Sequence, residues 1–214
     1  HTQRDSNGPT LRAALQSSGL ARCTIGGVVE DHPRALRRRI EEALDRCDVL
    51  ILVGGMSVGK YDLVPSTLEA IGCRKVFPKV KMKPGKPFLF TLGPDKQLVF
   101  GLPGNPLAAL VGFHEFVLPA LEKMAGLEER RPATIQVRID EPLAVRSGGR
   151  TQFHPARLNF KASNGTLVAV PLGTRNSADV VAGGQCDGVL ILPPGKKEFA
   201  RGSRLAFHPW RVVL

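Results

Sequence analysis

The run Asp48–Val53, DVLILV, narrows the possible folds more than any other segment. An apolar stretch of strand length without polar alternation suits a buried parallel strand, covered on both faces. Gly54-Gly55 ends it, where the chain must turn sharply. Helical spacing precedes it: Leu36, Ile40, Ala43 and Leu44 form one stripe, and Arg37, Arg38 and Arg39 fall largely off that stripe. Asp31 followed by Pro33 predicts a capped helix start. Further upstream, Asn7 or Thr10 is expected to cap a helix carrying Leu11, Ala14 and Leu15. Gly19 stops that helix, and Ala21–Val29 reads as a strand.

The same alternation continues downstream. Pro65 is expected to open a short helix to Ala70. Strands are predicted at Lys75–Val80, Pro87–Leu92 and Gln97–Phe100. Asn105 and Pro106 then start a long apolar helix to Met124, with Leu110, Phe113, Val117, Leu121 and Met124 on its buried stripe. This order implies a three-layer α/β sandwich over residues 1–127. The texture changes at Glu128-Glu129-Arg130-Arg131-Pro132, a charged linker broken by proline. Beyond it helical periodicity disappears. Short strand candidates at Ala133–Ile139, Thr151–Leu158, Leu167–Val170, Gly188–Leu192 and Arg204–Phe207 predict a small all-β barrel over residues 131–214.

Composition removes several function classes. With 43% hydrophobic and 23% charged residues among 214, the chain is an ordinary globular one. No uninterrupted apolar run reaches the length of a membrane span. The net charge of +11 attracts anions. It is spread over both halves, and one Trp and one Tyr offer few platforms for base stacking, so nucleic acid is not an expected partner. Cys23, Cys47, Cys73 and Cys186 form no CxxC pair, each sits in or beside an apolar stretch, and they read as buried reduced thiols of a cytoplasmic protein.

Three segments suit anion chemistry. Gly54-Gly55-Met56-Ser57-Val58-Gly59-Lys60-Tyr61-Asp62 follows the buried strand and can turn backbone N–H groups toward a ligand. Glycine content alone favours an ordinary strand-to-helix turn, and Asp62 could either cap the next helix or hold a metal or a ligand amide. Lys81-Met82-Lys83-Pro84-Gly85-Lys86-Pro87 crowds three ammonium groups into a turn stiffened by two prolines. It suits a phosphate or an oxyanion such as molybdate. Gly101-Leu102-Pro103-Gly104-Asn105-Pro106 opens the long helix, where free N–H groups favour an anion. Gly148-Gly149-Arg150 and Thr174-Arg175-Asn176-Ser177 are polar turns with no signal of their own. The five histidines lack metal-ligand spacing.

Taken in order, DVLILVGGMSVGKYD, KMKPGKP and GLPGNPLAALVGF resemble the MoeA family, the molybdopterin molybdenumtransferases, which include the E domain of gephyrin. Arg4-Asp5-Ser6-Asn7 and Val29-Glu30-Asp31-His32-Pro33 match as well. The resemblance implies insertion of molybdenum from molybdate into adenylated molybdopterin with release of AMP, assisted by Mg²⁺. Carried over by position, it implies catalytic roles for Asp62, Asp31, Lys83 and Lys86, with Asp62 also the metal ligand. It implies pterin-binding roles for Gly54, Gly55, Ser57, Gly59, Pro103, Gly104, Asn105 and Pro106. Arg150 and Ser177 would be contributions from the barrel, completing a site across a homodimer. A molybdopterin adenylyltransferase is the implied protein partner. The chain departs from the family in starting after the strand with the family's GDE-type acidic turn and in carrying Lys60 where an acid is common. It is expected to be a C-terminal portion of a longer enzyme. Its alternative is a non-catalytic molybdopterin-binding module.

Overall fold

The structure is a computed structural model that describes residues 5–56, 63–127, 134–146, 148–161, 166–173 and 179–210. It divides into two compact units, one of His1–Val80 with Gly85–Leu121, the other of Lys81–Pro84 with Glu122–Leu214.

The first unit begins with α1 (Asn7–Ser18). The Asp5 carboxylate accepts from the Asn7 and Gly8 N–H groups at 3.0 and 3.1 Å, and Gly19 closes the helix in the left-handed region, at φ 67°. The capping group is therefore Asp5, not Asn7 or Thr10, because Asp5 stands just outside the first turn. Next, α2 (Pro33–Leu44) has His32 rather than Asp31 at its N-cap, with Pro33 in the first turn. The cap shifts by one residue because Pro33 itself takes the first helical position. Ile40 and Leu44 are buried, while Arg37 and Arg38 face solvent and pair with Glu41 and Glu42 one turn on. The arginine run is thus a solvated face.

Residues 21–30 form no regular element, against the strand expected at Ala21–Val29. Gly27 there has φ 82°, which interrupts an extended path, and the side chains are mostly exposed. The remaining elements through the long helix are β1 (Val49–Val53), α3 (Leu63–Ala70), β2 (Arg74–Phe77), β3 (Met82–Lys83), β4 (Leu89–Leu92), β5 (Leu98–Leu102), α4 (Pro106–Gly112) and α5 (Leu118–Met124). A π-helical turn, Phe113–Val117, joins the last two, so the predicted long helix is continuous but not uniform, and Met124, expected on its buried stripe, is exposed at the last residue of α5. Pro65 sits inside the first turn of α3 rather than opening it.

The sheet order is β1-β5-β4-β2, with β1 and β5 parallel. One face packs Phe88, Phe100 and Leu102 against Leu11 and Leu15 of α1 and Ala109, Phe113 and Val117 of the long helix. The other packs Leu89 and Val99 against Ile40, Leu44, Val64 and Leu68 of α2 and α3. This is a three-layer α/β sandwich. Strand β1 is an edge of that sheet and its five residues are half-buried, not fully buried as the apolar run predicts, because a neighbour covers only one side.

The second unit contains β3 together with β6 (Ile135–Ile139), β7 (Leu143–Ala144), β8 (Thr151–Lys161), β9 (Thr166–Pro171), α6 (Val180–Gln185), β10 (Gly188–Leu192), β11 (Glu198–Phe199) and β12 (Arg204–Pro209). Strands β10-β12-β6-β9-β8 close into a barrel through a β8–β10 pairing. Closure removes exposed edges. Val137, Ile139, Leu158, Leu190, Leu192 and Phe207 fill the interior. Strand β3 adds in parallel to β8, with Lys83 aligned to Gln152. None of the four cysteines forms a disulfide; Cys73 and Cys186 are buried as expected, whereas Cys23 and Cys47 are only half-buried.

Candidate functional site

In the α/β unit, two glycine turns converge at the carboxyl ends of neighbouring parallel strands. Val53 aligns with Leu102, so Gly54-Gly55 leaves β1 beside Pro103-Gly104 leaving β5. The Gly54 N–H donates to the Leu102 carbonyl at 3.0 Å. Gly54 and Gly55 have φ 86° and 66°, in the left-handed region that only glycine enters without strain. A Cβ on Gly104 would stand 3.6 Å from the Gly54 Cα, so the two turns are in direct contact. Ligands of open α/β sheets bind at such carboxyl ends.

The second turn is anchored from behind. Pro103 is buried, Gly104 and Asn105 are exposed, and Pro106 occupies the first position of α4. The Asn7 side chain donates from Nδ2 to the Gly104 carbonyl at 2.9 Å, tying the start of α1 to the start of α4. Its Oδ1 is buried without a hydrogen-bond partner. Asn7 therefore holds this turn in place. Sequence reasoning treated it only as a cap, and the polar Asp5-Ser6-Asn7 cluster was the available signal.

Of the other expected residues in this unit, Asp31 lies exposed in the turn before α2, and among the described residues no hydrogen bond or ion pair joins it to the glycine turns. Lys86 is exposed, and its carbonyl accepts from the Val80 and Phe88 N–H groups at 3.3 and 3.0 Å, which closes the turn around it. Ser57, Gly59 and Asp62 lie outside the described residues, as does Ser177. Among the described residues no group of three or more His, Cys, Asp or Glu could hold a metal ion.

In the barrel unit, Lys83 and Arg150 flank one strand pair. Lys83 aligns with Gln152 of β8, and Arg150, two residues before Gln152, donates from Nη1 to the Met82 carbonyl at 3.3 Å. Gln152 is buried, and His154, two residues further along β8, is largely buried beside it. Burial pushes the His154 pKa below the ordinary histidine range. A backbone hydrogen bond with Leu172 opposes that shift, and the charge of Lys83 adds to it. His154 Nε2 is buried without a hydrogen-bond partner. Two cations thus stand at this edge beside a neutral imidazole. Sequence reasoning did not single out His154 beside Lys83, because a lone histidine in a strand carries no spacing signal.

Residues 1–123 match the family described as a probable molybdopterin binding domain, and residues 142–210 match the MoeA C-terminal region, domain IV. The chain belongs to the MoeA family. It is 33% identical, over 93% of its length and 46% of the relative's, to the molybdopterin molybdenumtransferase of Staphylococcus aureus strain MRSA252. With the protein of the same description from Nostoc it shares 38% identity over 65% of this chain and 32% of that one. Among solved structures, a Pyrococcus molybdopterin biosynthesis MoeA protein superposes with a TM-score of 0.80 at 26% identity, covering 98% of this chain and 49% of the other. The chain spans about half the length of the curated relatives it matches. Among the described residues no helix is long and apolar enough to cross a membrane.

Proposed function

We propose that this chain carries the molybdenum-insertion chemistry of molybdenum cofactor biosynthesis. Adenylated molybdopterin and molybdate bind, the adenylyl bond is hydrolysed, and molybdenum enters the dithiolene. The products are molybdenum cofactor and AMP. The observation that carries the reading is the meeting of the Gly54-Gly55 and Pro103-Gly104 turns at the ends of parallel β1 and β5. In the proposal, backbone N–H groups there and at the start of α4 take the phosphate of the pterin substrate. Pro103 and Pro106 shape the wall, and Asn105 is exposed at the mouth. Lys83 and Arg150 serve the other anion: an ammonium point charge and a guanidinium fork suit a tetrahedral molybdate. Lys86 contributes a further ammonium to the phosphate. Asp62 is the acid assigned to proton or metal handling, Ser57, Gly59 and Ser177 supply polar contacts, and Asp31 is a second acid. A homodimer and a molybdopterin adenylyltransferase that supplies the substrate complete the proposal, in a cytoplasmic setting.

The test measures AMP released from adenylated molybdopterin by the chain, with and without molybdate. Release is expected to depend on molybdate. Lys83→Ala and Arg150→Ala are each expected to weaken that dependence roughly 10- to 100-fold, the effect of losing one hydrogen bond to a charged group. Unchanged molybdate dependence in both variants overturns the assignment of these residues. Tight binding of adenylated molybdopterin with no AMP release assigns the chain a binding role instead.

A further inference from the structure

We propose that the outer wall of the barrel carries a separate anion site, built by Arg138 and Arg204 and suited to the phosphate or diphosphate group of a small molecule. The antiparallel pairing of β12 with β6 sets Arg204 directly opposite Arg138. Like charges in that position destabilise a strand pair. Both side chains are exposed, and neither is ion-paired with a carboxylate among the described residues. The acid nearest in sequence, Asp140, pairs with Arg201 at 3.2 Å. The repulsion is therefore left for something outside the chain to relieve.

The surroundings are shaped for a ligand. Strand β6 joins β9 at Arg138↔Val168 and Ile139↔Ala169. Just before that ladder a groove of about 260 Å³ opens, lined by Gln136, Val137, Arg138, Leu167 and Arg204. Arg138 donates from Nη1 to the Gly202 carbonyl at 3.0 Å, which fixes its guanidinium at one side of the groove. Arg204 makes no such bond and is the fork free to close on an anion. Alternation along β6 puts Gln136 on the same exposed side as Arg138 and adds a neutral amide donor. Val137 and Leu167 pack toward the barrel interior, so the exposed lining of the groove is polar and suits the phosphate group itself. Two guanidinium groups matched to phosphate oxygens bind in a bidentate way that a single lysine cannot. None of the residues assigned to molybdenum insertion lines this groove.

The test is titration of the chain with inorganic pyrophosphate and, separately, with AMP, followed by calorimetry and by thermal unfolding. Pyrophosphate is expected to bind and to raise the unfolding temperature. Arg138→Gln and Arg204→Gln are each expected to weaken this binding at least tenfold, whereas Lys83→Ala leaves it in place. Without ligand, Arg204→Gln is expected to unfold at a temperature no lower than the parent, because one member of the repulsive pair is gone. AMP is expected to bind no more tightly than pyrophosphate, because the groove holds only the phosphate group. Equal pyrophosphate affinity in the parent and the double glutamine variant overturns the proposal. So does retention of duplex DNA through these arginines with no response to pyrophosphate.

Discussion

Substituting Gly55 by alanine tests the geometry of the first glycine turn through two separable costs. The residue has φ +66°, and a Cβ built on it lies 2.9 Å from Cγ2 of Val64. Holding an L-residue in the left-handed region costs about 1–2 kcal/mol. Pushing a methyl into a packed position costs roughly 1–3 kcal/mol more, because Val64 is buried against Ile40 and Leu68 and has little room to yield. Gly55→Ala is therefore expected to destabilise the α/β unit by about 2–5 kcal/mol. Val64→Ala removes two methyl groups and costs roughly 1.6 kcal/mol by itself, at about 0.8 each. In that background the clash is gone, and Gly55→Ala should cost only the backbone share of about 1–2 kcal/mol. Urea unfolding of the parent, the two single variants and the double variant, followed by far-ultraviolet circular dichroism, reads the coupling directly. An equal cost for Gly55→Ala in both backgrounds would refute the contact with Val64. A cost below about 0.5 kcal/mol in the parent would refute the left-handed turn as well.

Two further predictions concern the polar groups behind the sites. His154 is kept neutral in the native barrel by burial, while the unfolded chain takes up a proton as pH falls through the ordinary value of 6.5. Stability is thus complete above that value and is lost below it, with a slope of up to about 1.4 kcal/mol per pH unit, until the native histidine titrates too. His154→Gln should flatten unfolding temperature between neutral and mildly acidic pH; an undiminished acid loss would mean another group is responsible. Asn7→Leu removes the donor to the Gly104 carbonyl and should cost about 1–2 kcal/mol. Asn7→Asp sets two oxygens against each other and should cost more, so unfolding data that show the aspartate tolerated as well as asparagine would reverse the assigned donor.

What the sequence made legible was decided locally. Asn105-Pro106 marks the start of α4, and Gly19 marks the end of α1. In both cases the signal and the structure it specifies lie within one turn. Gly188–Leu192 is a strand with the bounds its apolar run suggests. The features that escaped depend on distant partners. Nothing near Ala21–Val29 reveals whether a neighbouring strand pairs with it, so its apolar pattern looked like a strand while Gly27 turned the chain aside. Met82-Lys83 sits in a lysine- and proline-rich run that reads as a turn, yet it hydrogen bonds to β8. The candidate site followed the same rule. The glycine and proline turns were visible as motifs. The tie from Asn7 to Gly104 spans 97 residues and has no local signature.

The short strand β3 has a consequence for the order of folding. Its contact with the start of β8, marked by the bond from Arg150 to the Met82 carbonyl, joins residues 68 positions apart. In a disordered chain, closing such a loop costs about 2.5 kcal/mol more than closing a four-residue turn, far more than two strand residues return. Folding of the sheet and helices in the intervening chain leaves fewer disordered residues in the loop and so lowers that penalty. The β3–β8 edge, and with it the placement of Lys83, is therefore expected to form late, after the sandwich has folded. Destabilising the sandwich core should then delay protection of the Lys83 amide during refolding, although none of the altered residues touches it.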